Sequence, residues 1–253
     1  MPLKETEAFV LRSQPLGESD RVVTFLTRAE GKIRGVAKGA RKSRRRFGSN
    51  LELLSRVRLG YFEKEGADLA RIESAELLES FYRLQEDPER GAVLACLAEI
   101  SDAFAREQQE DEPFFRLLLT VLRAVRDGLG LDWAGRYFEV WTLRLHGVLP
   151  GLGLCARCAA GLLDRGGRYD RREGIVICVD CAGQHGRTDL TLPAGSLRAA
   201  EAILREPPQA FIGRTPDAGE LAPLAAMAAA IFFELTERRF KSYEVLRALR
   251  GRA

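Results

Sequence analysis

The spacing of apolar residues divides this chain of 253 residues into two regions. From residue 5 to about 80, apolar and polar positions alternate in short stretches, which predicts β-strands. The predicted strands are Glu7–Ser13, Arg21–Arg28, Lys32–Lys38, Leu51–Glu63 and Asp68–Ser74. About five short strands suffice for a small closed barrel. Gly31 and Gly66 mark turns between strands, so we expect short, antiparallel connections.

Alternation within two of these strands predicts which side chains face outward. In the third strand, small or apolar residues would face the core while the cations would face water; the core positions are Ile33, Gly35 and Ala37. In the fourth strand, the expected inward residues are Leu51, Leu53, Val57, Leu59 and Tyr61. Its outer face would then carry Glu52, Arg56, Arg58 and Phe62.

After Pro88 apolar residues recur at intervals of three and four, which predicts amphipathic helices. Further helices are predicted at about 113–126, 132–146, 194–205, 218–239 and 243–250. The expected organisation is an N-terminal barrel domain at 1–80 and a helical domain at 81–253, interrupted by a cysteine-containing insertion at 149–187. The fold class is therefore α+β with more than one domain.

The charges are concentrated in one segment. Eight cations and no acidic residue lie between residues 32 and 46: Lys32, Arg34, Lys38, Arg41, Lys42, Arg44, Arg45 and Arg46. Without these eight, 31 of the 39 basic residues would remain against 36 acidic ones, so the basic character is local. A local cationic segment on a barrel strand and its following loop predicts a phosphate-backbone site. A solvated loop without a partner is the alternative.

Two further cations and two aromatic residues extend this hypothesis. Arg56 and Arg58, on the outer face of the fourth predicted strand, are candidates to lengthen the phosphate track. Phe47 and Phe62 are candidates to stack on bases, although either could equally belong to the core.

Four of the five cysteines form two C-x2-C pairs. Cys155 and Cys158 precede Cys178 and Cys181 by a spacing typical of tetrahedral zinc sites. Four thiolates leave no open position, so we expect one structural Zn²⁺ per chain and no metal catalysis. Two disulfides or a redox dithiol are the alternatives. Cys96, on an apolar helix face, is expected to be buried.

Sequence motifs offer little support for an enzyme or a membrane protein. The chain has two histidines, neither in a nucleophile motif, and no phosphate-binding G-x-x-x-x-G-K-[ST] loop. The apolar run Leu221–Phe233 is shorter than the ~20 residues of a membrane span and predicts a buried helix. The first residues lack an apolar signal core, so the cytoplasm is the expected location.

The first eighty residues resemble the opening of the RecO family of bacterial recombination mediators. The matching segments are 9–12 (FVLR), 17–27 (GESDRVVTFLT), 30–32 (EGK) and 36–42 (VAKGARK). The resemblance implies an oligonucleotide/oligosaccharide-binding (OB) fold, binding to single-stranded and duplex DNA, and strand annealing. It also implies RecR and the C-terminal tail of the single-stranded DNA-binding protein as partners, and a role in loading RecA. An RNA-binding accessory protein and an adaptor for acidic peptides are the alternatives.

Overall fold

The computed structural model describes residues 2–42, 47, 48, 50–63, 66, 68–183 and 190–251. By its internal contacts the chain divides into two compact units. The first unit contains residues 1–119 and 240–253, and the second contains residues 120–239.

The first unit contains a closed five-stranded barrel, as predicted, with the strand order β1-β2-β3-β5-β4. The strands are β1 (Lys4–Leu16), β2 (Asp20–Thr27), β3 (Gly31–Ala37), β4 (Arg56–Phe62) and β5 (Ala70–Glu79). Pairing is antiparallel except between β3 and β5, which run parallel at 35–37 and 70–72. The prediction that all connections are short and antiparallel is therefore wrong. The chain between β3 and β4 is long because it carries β4 across to pair with β1.

The alternation predicted for β3 is confirmed. Ile33 and Ala37 are buried in the barrel core, whereas Arg34 is exposed on the opposite face. In β4 the inward residues Val57, Leu59 and Tyr61 are also buried. The barrel interior is therefore filled by aliphatic and aromatic side chains from every strand.

The predicted start of β4 at Leu51 is wrong, because the strand begins at Arg56. Leu51 and Leu54 are both buried, a spacing of three that fits turns and not a strand. Leu54 has a positive φ of 60°, and its N–H donates to Val10 O at 2.7 Å. The apparent alternation at 51–54 thus comes from a turn that packs against β1.

The first unit also contains helices α1 (Pro88–Phe104) and α7 (Lys241–Arg250) and the beginning of α2 (Glu112–Arg126). A 3-10 turn at Tyr82–Glu86 precedes α1. Asp87 and Asp111 accept N–H groups in the first turns of α1 and α2. The Glu99 carboxylate on α1 accepts the N–H groups of Lys241 and Ser242, which attaches the start of α7 to α1.

The second unit combines helices with a small cysteine-containing sheet. Its elements are α3 (Leu131–Leu145), β6 (Gly167–Asp170), β7 (Ile175–Ile177), α4 (Val179–Ala182), β8 (Leu190–Leu192), α5 (Ala194–Arg205) and α6 (Ala218–Thr236). A 3-10 turn lies at Pro208–Phe211. The three strands form one sheet in the order β7-β6-β8. The predicted helical region with an inserted ribbon is therefore present.

Helix α6 is longer than the apolar run that the sequence indicated. Among the described residues it is the one helix long and apolar enough, at Gly219–Thr236, to cross a membrane by length and composition. Core helices of soluble proteins meet the same criterion, and 33% of this segment is buried. Leu224 and Met227 are fully buried, which agrees with the predicted core position.

Candidate nucleic-acid interface and metal centre

The outer face of β3 and the chain that follows it carry the candidate phosphate site. Arg34, Lys38, Arg41 and Lys42 are all exposed, and we call these four residues the basic face. Val36 lies between Arg34 and Lys38 on the same side of the strand and is half-buried. Arg34 and Lys42 make no ion pair within the described part of the chain. Their charges are thus available to an anionic ligand.

The turn between β1 and β2 fixes the direction in which the chain leaves β3. The Asp20 carboxylate accepts the N–H of Gly39 at 2.8 Å, and Ser19 O accepts the N–H of Arg41 at 3.0 Å. Gly39 has φ of 68°, a conformation that glycine adopts at little cost. The Arg41 guanidinium also donates to Gly17 O at 3.2 Å. These contacts hold the basic face beside the β1–β2 turn.

The Asp20 contact also affects titration. The N–H of Gly39, the Ser19 hydroxyl and the nearby Lys38 charge hold the pKa of Asp20 below its ordinary value of 3.8. Hydrogen bonds to an ionised carboxylate favour the charged form, so Asp20 remains an acceptor at neutral pH.

Phe47 marks where the chain returns to the barrel. Its side chain is fully buried in the barrel core, so the hypothesis that Phe47 stacks on bases is wrong. Next to it, Asn50 donates its side-chain N–H to Ala75 O at 2.8 Å. Arg44, Arg45 and Arg46, also predicted to hold phosphates, lie outside the described residues.

Lys32 differs from the other cations of β3. Its side chain is only 17% exposed, and its ammonium group donates to Asp102 O at 2.8 Å near the Asp102 carboxylate. Its backbone N–H donates to Arg106 O. Lys32 therefore joins the barrel to the end of α1, which sequence alternation alone could not show.

Arg56 and Arg58 lie on another side of the barrel, where β4 pairs with β1 and β5. Arg56 is 17% exposed and contacts the carboxylates of both Glu7 and Glu79 at 3.1 Å. Arg58 contacts Glu76 at 2.8 Å in a more exposed pair. These carboxylates already neutralise both cations, so the structure lends no support to an extended phosphate track here.

Arg71 belongs near the basic face but was missed from the sequence. Parallel pairing sets Arg71 of β5 beside Val36 of β3, and antiparallel pairing sets it opposite Phe62 of β4. Its guanidinium carbon lies 6.0 Å from the centre of the Phe62 ring. The sequence gives no signal for this neighbourhood, because it depends on the unpredicted parallel pair.

The four predicted metal ligands come together in the second unit. The Sγ atoms of Cys155, Cys158, Cys178 and Cys181 all lie within 4.8 Å of one another. Cys158 Sγ and Cys178 Sγ are 3.7 Å apart. A tetrahedral ion with Zn–S bonds of about 2.3 Å requires sulfur atoms about 3.8 Å apart. Disulfides require about 2.05 Å, so the cysteines are free and their arrangement fits a metal ion.

Backbone groups near the sulfurs favour a thiolate at one ligand. Burial opposes ionisation of Cys155, but backbone N–H groups, among them that of Cys178 at 3.2 Å, lower its pKa to about 6. Contacts with the other sulfurs raise the pKa of Cys181 to about 12. Four clustered thiols therefore resist collective ionisation, and a bound cation would relieve that repulsion.

Two arginines of the ribbon pair with acidic residues of the ribbon. Arg157 contacts Glu173 at 3.0 Å, and Arg165 contacts Asp180 at 3.3 Å. The fifth cysteine, Cys96, is buried in α1 as predicted.

An OB-like closed barrel with an exposed basic face, followed by helices and a four-cysteine ribbon, defines a class of nucleic-acid-binding proteins. Within this class, the chain belongs to the RecO family. The family description "Recombination protein O N terminal" matches residues 1–81, and "Recombination protein O C terminal" matches residues 85–243. Membership supports a role in DNA repair and recombination.

Curated relatives agree with this assignment. A DNA repair protein RecO of Koribacter versatilis is 39% identical over 83% of this chain and 84% of its own length. Another, from Symbiobacterium thermophilum, is 34% identical over 99% of both chains. A third, from Anaeromyxobacter sp. (strain K), is 40% identical over 75% of this chain and 74% of its own.

Proposed function

We propose that this protein is a recombination mediator that binds single-stranded and duplex DNA, anneals complementary strands and helps load RecA on single strands covered by single-stranded DNA-binding protein. The observation that carries the proposal is the basic face, where Arg34, Lys38, Arg41 and Lys42 stand exposed on one side of a barrel. Elsewhere on the barrel, Arg56 and Arg58 are neutralised by carboxylates. Among the described residues, the basic face is therefore the more favourable of these two sides for a polyanion.

Phosphate contacts on this face explain why annealing needs no chemical step. Cations that hold the backbones reduce repulsion between two strands, while base edges remain free to pair. Binding should tolerate any sequence and weaken steeply as salt increases, because each phosphate contact releases counterions. This mechanism requires no catalytic residue, and we propose that the protein is not an enzyme.

We further propose that the four cysteines hold one structural Zn²⁺. The donor set fits, since four sulfurs within 4.8 Å suit a tetrahedral thiophilic ion. Zinc would link the two C-x2-C turns and leave no site for water or substrate. The cysteines would thus stabilise the ribbon and take no part in DNA chemistry.

The family also supplies expectations about binding partners and cellular location. We propose RecR and the C-terminal tail of the single-stranded DNA-binding protein as partners, and a cytoplasmic, nucleoid-associated protein without a membrane role. Whole-length similarity to proteins named DNA repair protein RecO supports these proposals.

The decisive experiment is a salt titration of binding to matched single-stranded DNA, duplex DNA and hairpin RNA, in which fluorescence anisotropy measures the binding. We expect tight binding to both DNA forms, with an affinity that falls linearly on a logarithmic salt scale. A strong preference for hairpin RNA would instead favour an RNA-binding accessory protein. If the protein binds neither DNA nor RNA at low salt, the remaining hypothesis is an adaptor for acidic peptides.

A further inference from the structure

A row of outward side chains crosses the barrel next to the basic face. Register pairs Val22 of β2 with Val36 of β3, Val36 with Arg71 of β5, and Arg71 with Phe62 of β4. Val22, Val36 and Phe62 are half-buried, and Arg71 is exposed. We call these four residues the apolar row, although Arg71 contributes a cation. No such row was evident from the sequence.

The apolar row lies next to exposed positive charge. Arg34 on β3 and Lys38 directly after it flank Val36, while the chain between β4 and β5 begins directly after Phe62. Unlike the face that carries Arg56, this side combines apolar surface with cations that can pair with phosphates. Duplex DNA offers mainly phosphates to such a surface, whereas a single strand also offers base faces.

Arg71 is suited to exchange its present partner for a ligand. Its contact with Glu73 at 3.3 Å joins side chains that are 62% and 36% exposed. Exposed pairs contribute little stability, so replacing Glu73 by a phosphate costs little. The guanidinium already lies 6.0 Å from the Phe62 ring, near the limit of a cation–π contact. A flat aromatic ring beside a planar cation is the arrangement that binds unstacked bases.

We propose that Phe62 and Arg71 are single-strand-specific binding residues: Phe62 stacks on an unpaired base while Arg71 holds the adjacent phosphate. The inference rests on the proposed function and adds how the protein distinguishes single strands from duplex. Phosphate contacts on the basic face serve both DNA forms, while base contacts on the apolar row serve the single strand alone. An annealed product would lose the base contacts and be released more readily.

The test compares Phe62→Leu and Arg71→Lys with the native chain, using an oligo-dT strand and a matched duplex at two salt concentrations. Phe62→Leu keeps an apolar side chain but removes the aromatic face. We expect it to weaken single-strand binding about tenfold, leave duplex binding within about twofold, and leave the salt slope unchanged. Arg71→Lys keeps the charge without the planar group and should weaken single-strand binding by a smaller factor.

Two further variants make the outcome decisive. Phe62→Trp should keep affinity, and its fluorescence should be quenched by single strands and not by duplex. Charge reversal of Lys38, Arg41 and Lys42 tests the basic face itself. If that reversal weakens both DNA forms while Phe62→Leu weakens neither or both equally, the apolar-row inference is overturned and the proposed function stands. If the reversal changes nothing, the proposed DNA site fails.

Discussion

Two sides of the same barrel carry arginines of very different availability. On β4, Arg56 contacts two carboxylates and is 17% exposed, while Arg58 contacts Glu76. On β3, Arg34 is exposed and has no ion pair among the described residues. Sequence alternation places all three arginines on outer faces. Only the three-dimensional neighbours decide which cations can bind a polyanion.

The difference follows from strand order. Strand β4 lies between β1 and β5, whose outward positions hold Glu7, Glu76 and Glu79. Strand β3 lies between β2 and β5, where its register partners include Val22, Thr24 and Arg71. Acidic neighbours thus occupy one side and are sparse on the other. A count of charges along the chain cannot reveal this separation.

The largest expected effect comes from reversing Lys38, Arg41 and Lys42 to glutamate. Because three phosphate contacts become repulsive, we expect DNA affinity to fall on the order of 100-fold. The slope of log affinity against log salt concentration should become smaller in magnitude by about 3. Anisotropy titrations measure both quantities. Arg58→Glu is the matched control on the paired side and should change affinity less than about threefold. Equal losses in both variants would contradict the comparison.

A different outcome is expected for Arg56→Gln. This change leaves Glu7 and Glu79 without their shared, partly buried partner and should lower the free energy of unfolding by about 1–3 kcal/mol. Urea denaturation measures this loss. DNA affinity should remain within about twofold at temperatures where the variant is folded. A large fall in affinity with unchanged stability would mean that Arg56 binds DNA directly.

Strong acidification should loosen the contact through which Asp20 positions the basic face. The pKa of Asp20 is lower in the folded protein than in the unfolded chain, so its contribution to stability is complete above about pH 3.8 and is lost as pH falls through the folded value. Nuclear magnetic resonance of the Gly39 amide should follow this titration. Asp20→Asn should shift the amide at neutral pH, while an unchanged Gly39 signal would contradict the contact.

The smallest effect on DNA binding should follow metal removal. Chelation, or Cys158→Ser, should destabilise the ribbon and lower the midpoint of thermal unfolding, because the proposed Zn²⁺ would no longer link the four cysteines. Affinity for DNA should change less than about twofold, since the basic face lies in the other unit. Metal analysis of the purified protein identifies the ion. Native thiols that titrate freely without metal release would contradict the zinc proposal.

Local patterns predicted the elements well, and the cysteine spacing predicted that the four cysteines come together. The β3 alternation and the helix positions follow from a single side-chain period, which tertiary contacts did not override. The predicted start of β4 was wrong because the apolar pattern at Leu51 and Leu54 is compatible with a strand. The positive φ of Leu54 instead belongs to a turn. The role of Phe47 could not be predicted either. An aromatic residue after a basic run can pack in the core or stack on a base.

The features that the sequence did not reveal depend on long-range pairing. Lys32 follows the outward pattern of β3, yet its ammonium reaches Asp102 of α1, seventy positions along the chain. Arg71 enters the candidate site only because β5 runs parallel to β3. Such neighbours have no local signature, so functional residues at strand crossings are harder to predict than those within one strand.

Gly31 has a practical consequence for dissecting the protein. An added Cβ at this residue would clash with the carbonyl oxygens of Gln109 and Arg106. The ring centres of Phe9 in the barrel and Phe115 in α2 lie 4.9 Å apart. A fragment ending near residue 81 would expose Phe9 and leave the Lys32 amide without its acceptor. Aggregation of such a fragment would then be mistaken for weak DNA binding. Fragments for binding assays should therefore retain the helices that cover the barrel.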